Sequence, residues 1–384
     1  MRIAYLTCVY PPYPGGIGIV TEGLAREMSK RGHEVHVFTP RQKGHRPQAT
    51  GYRLHELRPW LRFGNAALLP QVLWWLKNFD VIHVLYPFFG VAEFVPLLKH
   101  MSRAKIVVHH TMDAVDSRWR GHFFRWHARY IMPSIFRAAH RVIVLSEDYA
   151  HNSEVEKLKL RQVDIVPNGV DTELFQPVDR NSKLEIRNSE SQFPVSSFQF
   201  PIILFVGGLD RAHYFKGVEV LIEACRILKD REVKFSCQII GEGEMRKKYE
   251  RQAAGLAVEF VGLVPHEHLP NYYQNATVAV VPSTERVECF SIVAAEAQAC
   301  GIPAIVSDFP GVRVTIEDGK TGYVVRPGDA EELAGRIQEM VANPEKAQAM
   351  GQAGRVRSVE LYSWYNIGDK LDVIYKVLKN QTQK

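Results

Sequence analysis

The feature that most restricts how this chain can fold is an alternation that occurs twice. Short, mostly apolar runs at Ile3–Val9, Glu34–Thr39, Val81–Tyr86, Lys105–His109, Arg141–Leu145 and Val163–Val166 are separated, in most cases, by longer stretches with helical spacing. Continuous apolar runs bounded by turns are the mark of strands buried on both faces, and helices between them make the strands parallel. The pattern then starts again, with runs at Ile202–Val206, Phe235–Ile240, Val258–Val261, Val278–Val281, Ala304–Val306 and Gly322–Val325.

Between the two series lies Asp179–Ser197, a polar stretch rich in Ser and Asn without apolar periodicity, which reads as a linker. The expectation is an α/β protein of two Rossmann-like, doubly wound parallel-sheet domains. Their expected bounds are 1–178 and 198–360, with 179–197 as linker. Residues 361–384 are expected to form a last helix able to pack on either domain, return to the first included. At 384 residues the chain is long enough for two cores.

Composition narrows the class. With 46% hydrophobic and 23% charged residues, disordered and fibrous chains are excluded. Five cysteines, never spaced as CxxC, signal neither a disulfide framework nor a zinc site, and a reducing cytoplasm fits them. The apolar start is too short for a signal peptide and reads as the first strand. No window approaches the roughly 18 apolar residues of a spanning helix; Ala66–Phe79, interrupted by Pro70, Gln71 and Lys77, reads as a core or interfacial segment. The net charge of +6 comes from residues 1–178, the remainder being close to neutral.

In doubly wound sheets ligands bind beyond the carboxyl ends of the strands, so three loops matter most. The first, PPYPGGIG, offers Gly15 and Gly16 where a phosphate can approach the backbone before a helix beginning near Ile19, or it is a plain tight turn. It lacks the last glycine of GxGxxG, which argues against a dinucleotide site. In the second, FVGGLDRAHYFKG, Arg211, His213 and Lys216 precede a helix, as a diphosphate site or as a solvated loop. The third, PSTERVECFSIVAAEAQACGIP, places Glu288 in a loop and Glu296 inside an apolar helix begun by Ser291, where an unpartnered carboxylate is costly. Alone, Glu296 reads as a helix-surface residue; with Glu288 it suits the hydroxyls of a sugar and a ribose.

Together these residues resemble a known family. Glu288 and Glu296 in the frame ExFSxxxAEAxAxGIPxIVS are similar to the signature of the family 4 retaining glycosyltransferases of the GT-B fold. The PPYPGGIG loop, Pro167-Asn168-Gly169-Val170-Asp171 with Phe175 and Pro177, the FVGGLDRAHYFKG loop, Ile239–Glu244 and Val261–Pro265 follow the family pattern in order along almost the whole chain. The resemblance implies two domains facing a central cleft. It also implies transfer of a sugar, with retention and without a metal or other cofactor, from a nucleotide diphosphate sugar, UDP- or GDP-linked, to a glycan or lipid-linked acceptor. Glu296 would hold the donor ribose and Glu288 the hydroxyls of the moving sugar. Phe290, Ser291 and Ile292 would offer backbone N–H groups. Lys216 would neutralise the departing diphosphate, with Gly15 and Gly16 closing over it.

Two departures accompany the likeness. Where the family commonly has an Arg after the first glycine of the second loop, this chain has Gly208, and Arg211 is the expected substitute. The family's catalytic His falls within His109-His110-Thr111, and His110 is the candidate, with His109 and Thr111 as alternatives.

Residues 117–141 hold six Arg and no acidic residue, interleaved with Trp119, Phe123, Phe124, Trp126, Tyr130 and Phe136. Either the aromatics lie in the core among solvated arginines, or Arg118, Arg120, Arg125, Arg129 and Arg137 meet an anionic membrane surface. The second reading makes this a cytoplasmic enzyme peripheral to the inner face of the membrane. No nucleic-acid motif is present. A catalytically silent, membrane-associated partner of a transferase and a nucleotide-sugar epimerase of the same fold are the competing functions.

Overall fold

The computed structural model describes residues 1–13, 15–42, 50–114, 120–178 and 200–381. They divide into two compact units, Met1–Gly169 with Trp364–Lys384, and Val170–Ser363. The linker expected at 179–197 lies outside the described residues.

The first unit is built on seven parallel strands, β1 (Arg2–Leu6), β2 (Glu34–Pro40), β3 (Arg53–Leu57), β6 (Val81–Tyr86), β7 (Lys105–His110), β8 (Arg141–Val144) and β9 (Val163–Ile165). Their order is β3-β2-β1-β6-β7-β8-β9. Between β3 and β6 runs a short antiparallel hairpin, β4 (Leu61–Phe63) and β5 (Ala66–Leu68), which the sequence pattern does not announce. The inner strands β1, β6, β7 and β8 are buried almost throughout, as their continuous apolar runs require.

The second unit repeats the plan with six parallel strands in the order β12-β11-β10-β13-β14-β15. These are β10 (Ile202–Val206), β11 (Ser236–Ile240), β12 (Val258–Gly262), β13 (Val278–Val281), β14 (Ala304–Ser307) and β15 (Gly322–Val325). The strand order reverses between β10 and β13, so the loops after those two strands flank the switch point of the sheet. They are FVGGLDRAHYFKG and PSTERVECFS.

Both unit boundaries differ from those expected at 178 and 360, for packing reasons. Val170 donates its N–H to Tyr362 O (2.7 Å) and pairs with Ser363, so the chain enters and leaves the second unit side by side. Phe175 is fully buried in that unit, and Arg355 donates to Thr172 O and Phe175 O. The last helix, Trp364–Asn380, belongs to the first unit. Its Trp364 ring fills the space over Gly23 and Gly169, where an added Cβ would lie 2.1 and 2.3 Å from ring atoms. Arg31 pairs with Asp369 (2.6 Å), and Tyr375 meets Tyr5 and His83 inside the core. Gly169 of the PNGVD motif therefore serves this docking.

Candidate functional site

In the loop after β10, Asp210 caps a tight turn over Arg211–Lys216, its Oδ1 accepting from Ala212 N (2.8 Å) and His213 N (3.2 Å). The turn ends at Gly217, whose φ of 73° suits glycine and whose added Cβ would lie 1.8 Å from Pro282 O. Thr284 N donates to Phe215 O (2.7 Å), so the two loops at the switch point are locked together. That contact aims Lys216 at Glu288: Nζ donates to Oε1 at 2.8 Å, while the Ser283 hydroxyl donates to Oε2 at 2.7 Å. Both side chains are largely buried, Lys216 17% and Glu288 9% exposed. A cation held this way is set in place before any anion arrives, and its carboxylate partner keeps open lone pairs for hydroxyl donors.

Glu296 sits in the helix Ile292–Ala299, whose small residues are buried nearly all round. Ser291 starts it, its hydroxyl accepting from Ala294 N (3.2 Å), which leaves the first N–H groups of the helix without intrahelical acceptors. The helix Pro344–Tyr362 clamps it: Ser358 Oγ donates to Ala295 O (3.0 Å), and Gly354 lets Gln298 approach. Glu296 is buried, with His266 Nε2 at 2.9 Å from Oε1 and the Tyr273 hydroxyl donating to Oε2 at 2.8 Å. Burial, and then the Glu296 charge, push the Tyr273 hydroxyl and the Cys300 thiol well up from their ordinary values. Phe175 lies beneath both holders, 5.1 Å from the His266 ring and 5.8 Å from the Tyr273 ring. Phe290, next to the helix start, packs edge-on against Tyr362 at 5.1 Å.

The structure thus brings Lys216 and Glu288 together and seats Glu296 in a prepared socket. Arg211 does not fill the space beside Gly208 as expected. It is 70% exposed, with Nε 3.9 Å from Glu244, and the His213 ring lies against Gly208 instead. The tertiary pairing of Glu296 with His266 and Tyr273 leaves no local signal in the sequence, whereas His213 is one of the three basic residues of the loop that the sequence singles out.

In the first unit Gly15 caps the helix Gly16–Lys30, which begins three residues before the expected Ile19, and Gly18 packs on Tyr10 and Pro11. His110 ends β7, fully buried, with Nε2 at 3.0 Å from Asp113 Oδ1 and stacked on Tyr149. His109 points into a different network, its Nδ1 3.2 Å from His83 Nε2, and Thr111 donates to Tyr86 O. Of the basic stretch, Arg118 and the Arg120 side chain lie outside the described residues, while Arg125, Arg129 and Arg137 are exposed. Phe136 is core, but Phe123, Trp126 and Tyr130 are 47%, 51% and 60% exposed.

Two doubly wound units, with a cation and two carboxylates at the switch point of the second, define a glycosyltransferase of the GT-B fold that uses a nucleotide-sugar donor. Residues 188–357 match the family described as Glycosyl transferases group 1, and residues 14–174 match Glycosyltransferase Family 4. The chain belongs to the family 4 glycosyltransferases. It is 28% identical to the GDP-mannose-dependent alpha-(1-6)-phosphatidylinositol monomannoside mannosyltransferase of Mycolicibacterium smegmatis, over 94% of this chain and 95% of that one. It is 26% identical to a D-inositol 3-phosphate glycosyltransferase of Nocardiopsis dassonvillei, over 94% and 89%. Among solved structures, sucrose-phosphate synthase of Thermosynechococcus elongatus shares the fold with a TM-score of 0.77 at 23% identity, covering 99% of each chain. Anabaena HepE, solved in complex with UDP, does so at 0.76 and 18%, covering 98% of this chain and 100% of that one.

Proposed function

We propose that the chain is a retaining, metal-independent glycosyltransferase that moves a hexosyl group from a UDP- or GDP-linked sugar to a lipid-linked or glycan acceptor. The observation that carries this reading is the Lys216–Glu288 pair at the switch point. Lys216 takes the charge that develops on the diphosphate as the sugar leaves, a task for which a fixed cation in a partly dry site is well suited. Glu288 accepts from hydroxyls of the moving sugar, and Glu296 accepts from the donor ribose. The N–H groups of Phe290, Ser291 and Ile292 serve sugar and phosphate, and Gly15, Gly16 and His110 are the further residues that the family resemblance assigns to the donor. The acceptor hydroxyl attacks the face that the diphosphate leaves, and a phosphate oxygen takes its proton, so no protein nucleophile is required.

A lipid acceptor is supported by the exposed rings of Phe123, Trp126 and Tyr130 beside Arg125, Arg129 and Arg137, and by the phosphatidylinositol mannoside named for the mycobacterial relative. Phe89 links this helix to the hairpin: its carbonyl accepts from Ala67 N, and its ring stacks on Phe124. The hairpin exposes Leu61 and Phe63, next to an exposed Trp60. Arginines beside wedged aromatics suit an anionic interface. No helix among the described residues is long and apolar enough to cross a membrane.

The test is thermal unfolding against a panel of UDP- and GDP-sugars, followed by the anomeric configuration of the product. A donor at about 100 times its dissociation constant adds roughly 2.7 kcal/mol, and Glu296→Ala loses that gain. Retained configuration supports the reading; an inverted product, or no response to any donor, refutes it. Binding to phosphatidylglycerol vesicles at low salt, lost in Arg125→Glu/Arg129→Glu, tests the membrane surface.

A further inference from the structure

Two glycines follow β10: the first lies against the Phe205 ring, with Lys216 in ordinary contact, and the second makes room for a basic side chain. A Cβ on Gly207 would lie 3.5 Å from Lys216 Cδ, and a Cβ on Gly208 would lie 2.8 Å from His213 Nδ1 and 3.1 Å from its Cγ. The His213 ring therefore occupies the space that a side chain at position 208 would need. Lys216 and His213 stand on the same turn, against adjacent peptide units at the carboxyl end of β10.

The His213 ring is also fixed in its proton arrangement. Its Nδ1 lies 2.8 Å from Asp210 Oδ2, and a carboxylate only accepts, so the neutral ring keeps its proton on Nδ1. Nε2 then presents a lone pair, which repels an anion. Only the imidazolium has a second N–H to donate from Nε2. Asp210 itself is tied down by its two backbone donors, so this orientation is built into the turn. Several neighbouring charged groups have partners of their own. Arg211 faces Glu244, Tyr214 donates to Glu285, Lys216 pairs with Glu288, and Glu242, on the loop that packs on Leu209, pairs with Arg246.

We propose that His213 is the second cation of the donor's diphosphate site, that it contacts the diphosphate as an imidazolium through Nε2, and that donor binding takes up one proton. This rests on the donor site proposed above. Donor affinity then falls as pH rises, by about tenfold per pH unit once the free ring is neutral. A chain with arginine at position 208 and no histidine at 213 has no such dependence, because a guanidinium stays charged.

The experiment is calorimetric titration of UDP-glucose, UDP-N-acetylglucosamine and GDP-mannose into the wild-type protein, His213→Gln and Gly208→Arg/His213→Ala. The range is about pH 5.5 to 8.5, in two buffers of different ionisation enthalpy. Nucleotide sugars are used because their doubly esterified diphosphate has no proton titrating in that range. The wild type is expected to take up close to one proton at the alkaline end. His213→Gln is expected to bind about tenfold more weakly at pH 6 with no uptake, and the double variant to recover affinity without a pH slope. A ring nitrogen spectrum of labelled histidine gives an independent reading: the His213 midpoint rises when donor is added. If His213→Gln matches the wild type in affinity and pH slope, or the midpoint does not move, the inference falls and the donor site stands. If none of the three sugars binds the wild type at any pH, both fall.

Discussion

Lys216 and Glu288 are 72 residues apart in sequence and 2.8 Å apart in space, joined across the point where the strand order of the second sheet reverses. The contact exists because Gly217 allows the turn after β10 to press on Pro282, and Thr284 then bonds Phe215. Backbone geometry, rather than the attraction of the two charges, sets the pair.

Lys216→Met is expected to lower kcat by about a hundredfold to a thousandfold, the usual loss when one preorganised group facing developing charge is removed. Glu288→Gln is expected to lower it as well. The double variant should fall short of the product of the two, since each side chain holds the other in place. Steady-state kinetics on the four proteins measures this; strictly multiplicative losses would show that the pair does not act as a unit.

Phe175→Ala is expected to weaken donor binding although Phe175 touches neither Glu288 nor Lys216. The ring is fully buried under His266 and Tyr273, so its loss costs about 3–5 kcal/mol and lets the holders of Glu296 move. Donor KM should rise more than kcat falls, whereas unaltered donor affinity in the folded fraction would separate Phe175 from the site.

Stability is expected to fall with acid. Burial holds His109 down to about 3 and His140 to about 4, with a neighbouring charge as the lesser cause, and keeps His83 well below the ordinary value of 6.5. The folded form therefore binds fewer protons than the unfolded chain below about pH 6.5. The stability contributed by these neutral rings is present above that pH and is lost as pH falls, by up to about 1.4 kcal/mol per pH unit for each histidine. Urea unfolding at pH 7.5, 6 and 5 should show the decline, and His109→Gln should flatten it by about one proton. Constant stability over that range would contradict the buried neutral state.

Gly23→Val is expected to undock the C-terminal helix, because Trp364 occupies the space a side chain would need. Such overpacking typically costs about 1–3 kcal/mol. Limited proteolysis should cut within Trp364–Asn380 faster in the variant than in the wild type. Equal cleavage would mean that the ring contact does not hold the helix.

The strands were legible because residues such as Val81–Tyr86 and Val278–Val281 are buried on both faces and therefore read as unbroken apolar runs. Glu296 was legible as a carboxylate in an otherwise apolar helix, and Lys216 as a cation just before one. What escaped was the strand β3, the hairpin β4–β5 and the tertiary contacts. Nothing local to Phe175 shows that its ring lies under His266, so the domain boundary was set several residues late. The amphipathic pattern of Trp364–Asn380 shows that the helix packs on something without naming Gly23 or Tyr5 as what it meets. Arg211 is the substitute the sequence suggests for the missing arginine, whereas the Asp210 contact of His213 and the place of its ring over Gly208 appear only when the turn closes.

The most direct measurement is a crystal structure of the protein with a nucleoside diphosphate, UDP or GDP, bound. The expected result places diphosphate oxygens within hydrogen-bond distance of Lys216 Nζ and the ribose hydroxyls on Glu296, at the carboxyl ends of β10 and β13. A nucleotide seated away from these strand ends, or a diphosphate that leaves the Lys216–Glu288 pair untouched, would contradict the assignment of this site to the donor.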